Sequence, residues 1–163
     1  MSFNNKRITC VIPARMSSGR FPGKPLAKIN GRELVLRVVD IAKQSKFIDE
    51  VIVATEDEII ADLVEKEGHT AMITSTHYTC THRVSEVAQN LHADYVFNLQ
   101  GDEPLTKPVW LDEMIEYGIT NEIDVLQSSR ELEEGEVEDE DVVKMVVNNN
   151  RVTHMQRKCD VIC

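Results

Sequence analysis

Short apolar runs alternate with segments of helical periodicity along the first 127 residues of the chain. We predict strands at the apolar runs, and helices where apolar residues recur at three- and four-residue spacing. The predicted strands are residues 8–14, 51–55, 71–73, 95–99 and 123–127, and the predicted helices are residues 33–47, 57–67, 83–91 and 110–117. This alternation predicts an α/β fold, a doubly wound, Rossmann-like, mainly parallel sheet with helices on both faces.

The last part of the chain has a different pattern. Residues 131–141 contain eight acids in eleven positions, which is typical of a solvated loop. Two apolar segments follow at residues 142–147 and 152–155, separated by an Asn-rich turn, and this arrangement predicts a C-terminal β-hairpin. We predict that all of these elements belong to a single α/β domain over residues 1–163.

Composition and charge exclude several classes of protein. The net charge of −10 argues against nucleic acid as a partner, because phosphate backbones need a basic surface. No apolar run approaches the ~20 residues that a membrane-spanning helix needs, and the first residues lack the apolar stretch of a signal peptide. We therefore expect a cytoplasmic protein without a membrane partner, whose four cysteines are reduced thiols.

The charges are unevenly distributed along the chain. No acid precedes Glu33, whereas the same stretch holds 7 of the 18 basic residues. A basic, acid-free segment in an acidic protein suggests a local site for anions, although chance clustering on a solvated surface would give the same pattern.

The segment 13–26 has the composition of a phosphate-binding loop. It follows the first predicted strand, so it lies at the carboxyl edge of the sheet, where open α/β folds bind ligands. Ser18 and Gly19 allow close approach of the backbone, and Arg15, Arg20 and Lys24 supply three cations within ten residues. The alternative is a basic surface loop. Neither a Walker motif nor a dinucleotide fingerprint is present, which disfavours an NAD-type oxidoreductase.

A second candidate site lies at the end of the predicted strand 95–99. Residues 98–104 read NLQGDEP, and Asp102 is a hard oxygen ligand on a tight turn, suited to Mg²⁺. An ordinary β-turn would have the same composition. Because both loops follow parallel strands, we expect Asp102 and the Arg/Lys loop to face the same crevice.

Several ordered motifs resemble those of one known family. They are PAR-x(4)-R-x-PGKPL from residue 13, VIVATEDE from residue 51, HYTCTHR from residue 77, NLQGDEPL from residue 98 and VVKMVV from residue 142. Together they resemble the cytidylyltransferases that activate Kdo and, more distantly, acylneuraminates. The resemblance implies a nucleotide-binding domain of the nucleotide-diphospho-sugar transferase type. It also implies transfer of CMP from CTP to the anomeric hydroxyl of a Kdo-type sugar acid with release of pyrophosphate, in lipopolysaccharide biosynthesis.

The resemblance also implies roles for individual residues. Arg15, Lys24 and Asp102 would be catalytic, Asp102 would hold the Mg²⁺ cofactor, and Gln100 would contact the sugar acid. The implied nucleotide-binding residues are Ala14, Arg15, Ser18, Gly19, Arg20, Lys24, Thr81 and Arg83. The reaction needs no protein nucleophile, so we expect catalysis by positioning and charge neutralisation.

The segment 77–83 departs from the family motif HxSGT[ED]R at two positions. Cys80 replaces a glycine, which predicts strain if the turn needs a positive φ, and His82 replaces an acid. We expect His77 and His82 to face solvent.

The family chain also continues for about another third of its length, where it supplies a second metal-binding Asp and much of a dimer contact. The alternatives are therefore a nucleotide-binding module without catalysis, and a nucleotidyltransferase for another base or acid sugar.

Overall fold

The computed structural model describes residues 3–17 and 21–158, and contacts group the chain into two compact units. The first unit is Met1–Leu126 and the second is Gln127–Cys163. The prediction of a single domain over residues 1–163 stays a prediction. Among the helices of the described residues, none has both the length and the apolar character needed to span a bilayer.

A four-stranded parallel sheet forms the centre of the first unit, with strand order β5-β4-β1-β6. These strands are β1 Ile8–Pro13, β4 Glu50–Thr55, β5 Thr70–Ile73 and β6 Tyr95–Asn98. A short hairpin, whose strands β2 Lys28–Ile29 and β3 Arg32–Glu33 have two residues each, lies between β1 and the first helix in the chain. All six residues of β1 are buried, as expected for a central strand that is covered on both faces.

Helices cover both faces of the sheet. They are α1 Leu34–Ala42, α2 Glu58–Lys66, α3 Cys80–Ala88 and α4 Pro108–Thr120. One buried cluster joins Cys10 and Ile12 of β1 to residues of α1, α2 and α4, and a second joins Val11 to Val84 and Val87 of α3. Successive residues of β1 thus pack against opposite helical layers, which confirms the predicted doubly wound fold.

Several sequence-based element predictions are wrong. Helix α1 ends at Ala42 rather than at residue 47, and the short hairpin of β2 and β3 was not predicted. Helix α3 begins at Cys80 rather than at residue 83, because the side chain of Thr79 caps it and accepts a hydrogen bond from His82 N at 3.2 Å. The predicted strand 123–127 is absent, and these residues form turns and irregular chain in which Val125 is exposed. An isolated apolar run does not become a strand without a paired neighbour.

The second unit contains the acidic segment and the predicted hairpin. Strands β7 Lys144–Asn148 and β8 Arg151–Gln156 are antiparallel, and Asn149 and Asn150 form the turn with φ of 49° and 59°. Positive φ at both central residues is typical of a type I′ hairpin turn, and asparagine tolerates it. The hairpin prediction is confirmed.

The carboxyl ends of β1 and β6 approach each other closely at Gly101. A Cβ placed on this glycine would lie 2.6 Å from the carbonyl oxygen of Pro13. The φ of Gly101 is outside the left-handed region, so it is the lack of space that requires a glycine here.

We expect Gly101→Ala to lower the free energy of unfolding by about 1–3 kcal/mol, because backbone must move to admit the methyl group. Gly118→Ala is the matched control: it lies inside α4, its Cβ would meet Leu126 at an ordinary 3.6 Å, and helix propensity favours alanine. Urea denaturation followed by circular dichroism measures both variants. Equal stability of the two would contradict the steric account.

Candidate functional site

The carboxyl ends of the parallel strands carry most of the predicted site residues. The segment after β1 begins with Ala14, which is buried and donates its N–H to the carbonyl of Ala54 on β4 at 2.9 Å. Arg15 is the next residue, and its side chain is exposed. Ser18, Gly19 and Arg20 of the predicted phosphate loop lie outside the described residues.

Two hydrogen bonds hold the phosphate loop at Met16. Its N–H donates to the carboxylate of Asp57 at 2.8 Å, and its carbonyl accepts from Gly23 N at 2.9 Å. Asp57 directly precedes α2 but makes no side-chain capping bond to that helix. Its carboxylate therefore anchors the loop to the end of β4.

Lys24 is placed by a short 3₁₀ helix, Lys24–Leu26, that follows Gly23. Gly23 has a φ of 74°, a left-handed conformation that strongly favours glycine, and Pro25, the second residue of the 3₁₀ helix, is buried. The ammonium of Lys24 lies 2.8 Å from Oδ2 of Asp102. The two predicted loops therefore meet, as their positions after parallel strands required.

Asp102 and Gln100 lie on the turn that follows β6. The carbonyl of Gln100 accepts a hydrogen bond from Glu103 N at 3.2 Å, which closes the turn, and its side-chain amide donates to Asn98 at 3.1 Å. The side chain of Asp102 is 48% exposed, so its carboxylate is open to ligands. Among the described residues, no group of three or more His, Cys, Asp or Glu side chains could hold a metal.

The expectation of strain at Cys80 is wrong. This residue is the first of α3, and its φ is not positive. A side chain at the start of a helix costs nothing in backbone conformation, so the glycine of the family motif is not needed for this local structure. His82 is exposed, and its Nδ1 lies 3.0 Å from the Thr79 hydroxyl.

His77 does not face solvent freely, which corrects the second expectation for this segment. Its Nε2 forms a short contact with a carboxylate oxygen of Glu86 on α3, and the same carboxylate accepts from Ser75 N at 3.1 Å. The bond to His77, followed by that from Ser75, lowers the pKa of Glu86. His77 thus ties the segment before α3 to the helix itself.

Arg83 is buried, with a side chain only 2% exposed. Its Nη1 donates to the hydroxyl of Thr74 at 2.7 Å, and its Nη2 lies 3.3 Å from Oε1 of Glu56. Nη2 and the other carboxylate oxygen of Glu56 are buried without a hydrogen-bond partner. The guanidinium therefore joins α3 to the ends of β4 and β5, and it retains unused hydrogen-bonding capacity.

A small pocket of about 20 Å³ connects the loop after β1 to the start of α3. Its lining includes Arg15, Cys80 and Arg83. Thr81 does not line this pocket, and its side chain is exposed. Arg15 and Arg83 thus line one pocket, and Lys24 forms an ion pair with Asp102.

Sequence reasoning missed Asp57 and Glu56 as parts of this site. Both follow β4 directly, and the rule that singled out Asp102 after β6 applies equally to them. Their contacts, to Met16 N and to Arg83, join residues far apart in the chain, and no spacing pattern predicts such contacts.

Comparison with known proteins decides the family. The family model described as cytidylyltransferase matches residues 9–161. The chain belongs to the cytidylyltransferase family. The match contains both candidate loops, the α3 segment and the C-terminal hairpin.

Curated members of this family include close relatives. The chain is 40% identical over 147 residues to a 3-deoxy-manno-octulosonate cytidylyltransferase of Anaeromyxobacter sp. (strain Fw109-5), covering 89% of this chain and 60% of the relative. It is 46% identical over 110 residues to the enzyme of the same name from Geobacter metallireducens, covering 67% of this chain and 43% of the relative. The chain thus spans about half the length of the curated relatives that it matches.

A solved cytidylyltransferase structure has the same fold. The structure of CMP:2-keto-3-deoxy-manno-octonic acid synthetase complexed with CTP superposes with a TM-score of 0.81 at 30% sequence identity. The superposition covers 93% of this chain and 64% of the solved chain.

Removal of the buried guanidinium tests its structural role. We expect Arg83→Met to lower the free energy of unfolding by about 3 kcal/mol, because it leaves the largely buried carboxylate of Glu56 uncompensated. Arg7→Met breaks a similar ion pair, with Glu50 at 3.1 Å, but its side chain is 55% exposed, so we expect a loss below about 1 kcal/mol. Urea denaturation compares the two, and similar losses would show that burial does not matter here.

Proposed function

We propose that this chain is a cytidylyltransferase that moves CMP from CTP to the anomeric hydroxyl of a Kdo-type sugar acid and releases pyrophosphate. The observation that supports this most directly is the 2.8 Å approach of Lys24 to Asp102 at the carboxyl edge of the sheet, in a chain of the cytidylyltransferase family. An ammonium can bind the phosphates of a nucleotide, and a carboxylate beside it can bind the metal ion of the same nucleotide complex.

The basic residues of the loop would bind the triphosphate. Arg15 is exposed on the segment after β1, and Lys24 is the first residue of the 3₁₀ helix. Arg20 lies between them in sequence, and Ser18 and Gly19 would bring backbone N–H groups to the phosphates. In this arrangement the cations neutralise charge on the leaving pyrophosphate.

Asp102 fits a role as the protein ligand of Mg²⁺. Magnesium is commonly held by one or two carboxylates together with substrate phosphates, so a single half-exposed carboxylate beside a phosphate loop suits it. The ammonium of Lys24 lies 2.8 Å from this carboxylate, which supports a role for Asp102 in binding a cation. When bound, the metal ion would offset the charge on the phosphate oxygens during displacement.

The acceptor and the base would lie on either side of the phosphates. Gln100 is on the same turn as Asp102, so its amide can orient a sugar acid next to the α-phosphate. Arg83 lines the same small pocket as Arg15, and because about 20 Å³ is too little space for a cytosine, the base would lie against the mouth of this pocket, next to the loop. Thr81, exposed on the first turn of α3, completes the proposed nucleotide-binding set.

A cytoplasmic location, a role in lipopolysaccharide biosynthesis and a homodimer belong to the same proposal. The cytoplasmic location is the expectation from the sequence, and the support for the other two is the family resemblance alone.

Pyrophosphate release tests the proposed reaction. The 163-residue chain is incubated with Mg²⁺ and CTP, with and without Kdo-type and sialic-type acids, and pyrophosphate is measured by a coupled assay. We expect release that depends on one class of sugar acid. Asp102→Ala should lower the rate at least 100-fold, on the order of the effect of removing one charge-stabilising group.

Two controls make this result interpretable. Glu103→Gln removes a neighbouring carboxylate on the same turn and should retain most of the activity. ATP, GTP and UTP in place of CTP test the choice of base. Binding of CTP without release for any sugar acid would favour a nucleotide-binding module, and release with another nucleotide would favour a related nucleotidyltransferase.

Alkylation of Cys80 tests where the base binds. Cys80 lines the pocket beside Arg15, so we expect iodoacetamide to modify it and CTP with Mg²⁺ to slow the reaction at least threefold. Cys10 is the internal control, because burial raises its pKa to about 12 and keeps it unmodified. Peptide mass spectrometry follows each thiol separately. Equal alkylation rates with and without CTP would show that the base does not lie over Cys80.

A further inference from the structure

The side chains of Lys24 and Asp102 form an ion pair, and local contacts hold the backbone at both residues. Lys24 is held by the hydrogen bond from Gly23 N to Met16 O and by the buried Pro25 that follows it. Asp102 follows Gly101, which has no room for a Cβ against the carbonyl of Pro13. The two charges therefore stay within reach of each other, and each is the other's ion-pair partner.

This pairing conflicts with the roles that the proposed function gives to the two residues. Lys24 is to bind phosphate oxygens, and Asp102 is to hold a divalent cation. Neither role can be filled fully while the ammonium and the carboxylate neutralise each other at 2.8 Å. Arrival of either ligand alone must break the pair and leave one charge without its partner.

We propose that the ammonium of Lys24 occupies the cation position on Asp102 until the divalent cation binds. The cation and the nucleotide then bind cooperatively, because together they replace both members of this ion pair. When both ligands arrive, the cation takes the place of the ammonium on Asp102, and the phosphates take the place of the carboxylate on Lys24. No charge is then left unpaired. This inference rests on the proposed function and concerns how its site is loaded.

Reciprocity follows from this exchange. If the cation raises the affinity for the nucleotide by some factor, the nucleotide must raise the affinity for the cation by the same factor. Nucleotide without metal should bind more tightly once the carboxylate of Asp102 is removed. Metal without nucleotide should bind more tightly once the ammonium of Lys24 is removed. The size of the gain is that of a half-exposed ion pair, about two- to fivefold in affinity.

Neighbouring residues provide charge-matched controls for each member of the pair. Glu103 is an exposed acid on the same turn as Asp102, and Arg15 is an exposed cation on the same loop as Lys24. Within residues 3–17 and 21–158, neither side chain forms an ion pair. Neutralising either one changes the local charge as much as neutralising Asp102 or Lys24, but it leaves the Lys24–Asp102 contact in place.

The first experiment measures binding of CTP in EDTA by isothermal titration calorimetry. We expect Asp102→Asn to bind metal-free CTP two- to fivefold more tightly than Glu103→Gln does. The second measures Mn²⁺ binding without nucleotide, from the electron paramagnetic resonance signal of the free ion. We expect Lys24→Met to bind Mn²⁺ two- to fivefold more tightly than Arg15→Gln does. Circular dichroism checks that all four variants fold.

The wild-type chain supplies the remaining measurement. Its Mn²⁺ affinity with saturating CTP, divided by that without CTP, gives the coupling factor, and this factor should fall in Lys24→Met by about the same two- to fivefold. Equal affinities within each variant pair, with CTP still binding in the presence of Mn²⁺, would overturn the exchange and leave the proposed function standing. No CTP binding by the wild type under any condition would overturn both.

Discussion

The burial of strand β1 between two neighbours is the constraint on which the rest of this molecule depends. All six of its residues are buried, and it pairs in parallel with β4 on one side and β6 on the other. Because the three strands run the same way, their carboxyl ends lie at one edge of the sheet. Lys24, Asp57 and Asp102 of the candidate site come from residues that follow these strands, and the buried Arg83 comes from α3, which follows β5.

That edge is crowded, and the crowding determines what each side chain can do. Gly101 lets the chain after β6 pass against the carbonyl of Pro13, which brings Asp102 next to Lys24. Asp57 at the end of β4 holds the backbone of Met16 rather than its own helix. The acids of the site thus differ in their contacts, because Asp57 positions the backbone while Asp102 is half-exposed and pairs with Lys24.

The region around α3 shows how the chain adapts where it departs from the family motif. Thr79 caps the helix, His77 binds Glu86, and the buried Arg83 joins the helix to Glu56. Cys80 occupies a position where any side chain is allowed, so the loss of a glycine there causes no backbone strain. The histidine that replaces the acid at position 82 lies in solvent rather than against Arg83.

The sequence by itself determined the order of the four sheet strands and four helices and the two loops that bear charge, but not the short hairpin of β2 and β3. Apolar runs and helical spacing depend on local pattern, and the rule for carboxyl ends places Lys24 and Asp102 at one edge. The start of α3 was missed because the hydroxyl of Thr79 was not recognised as a cap. The strand at residues 123–127 was wrongly predicted because pairing, and not apolar composition, makes a strand.

Only the tertiary structure decided the contacts that join distant parts of the chain. The ion pair between Lys24 and Asp102, the bond from Met16 to Asp57 and the burial of Arg83 against Glu56 each depend on the packing of whole elements. A charged residue looks the same in a sequence whether it is buried, anchors a backbone or faces a ligand. These roles differ only in what surrounds the charge, and the surroundings are set when the sheet and its helices come together.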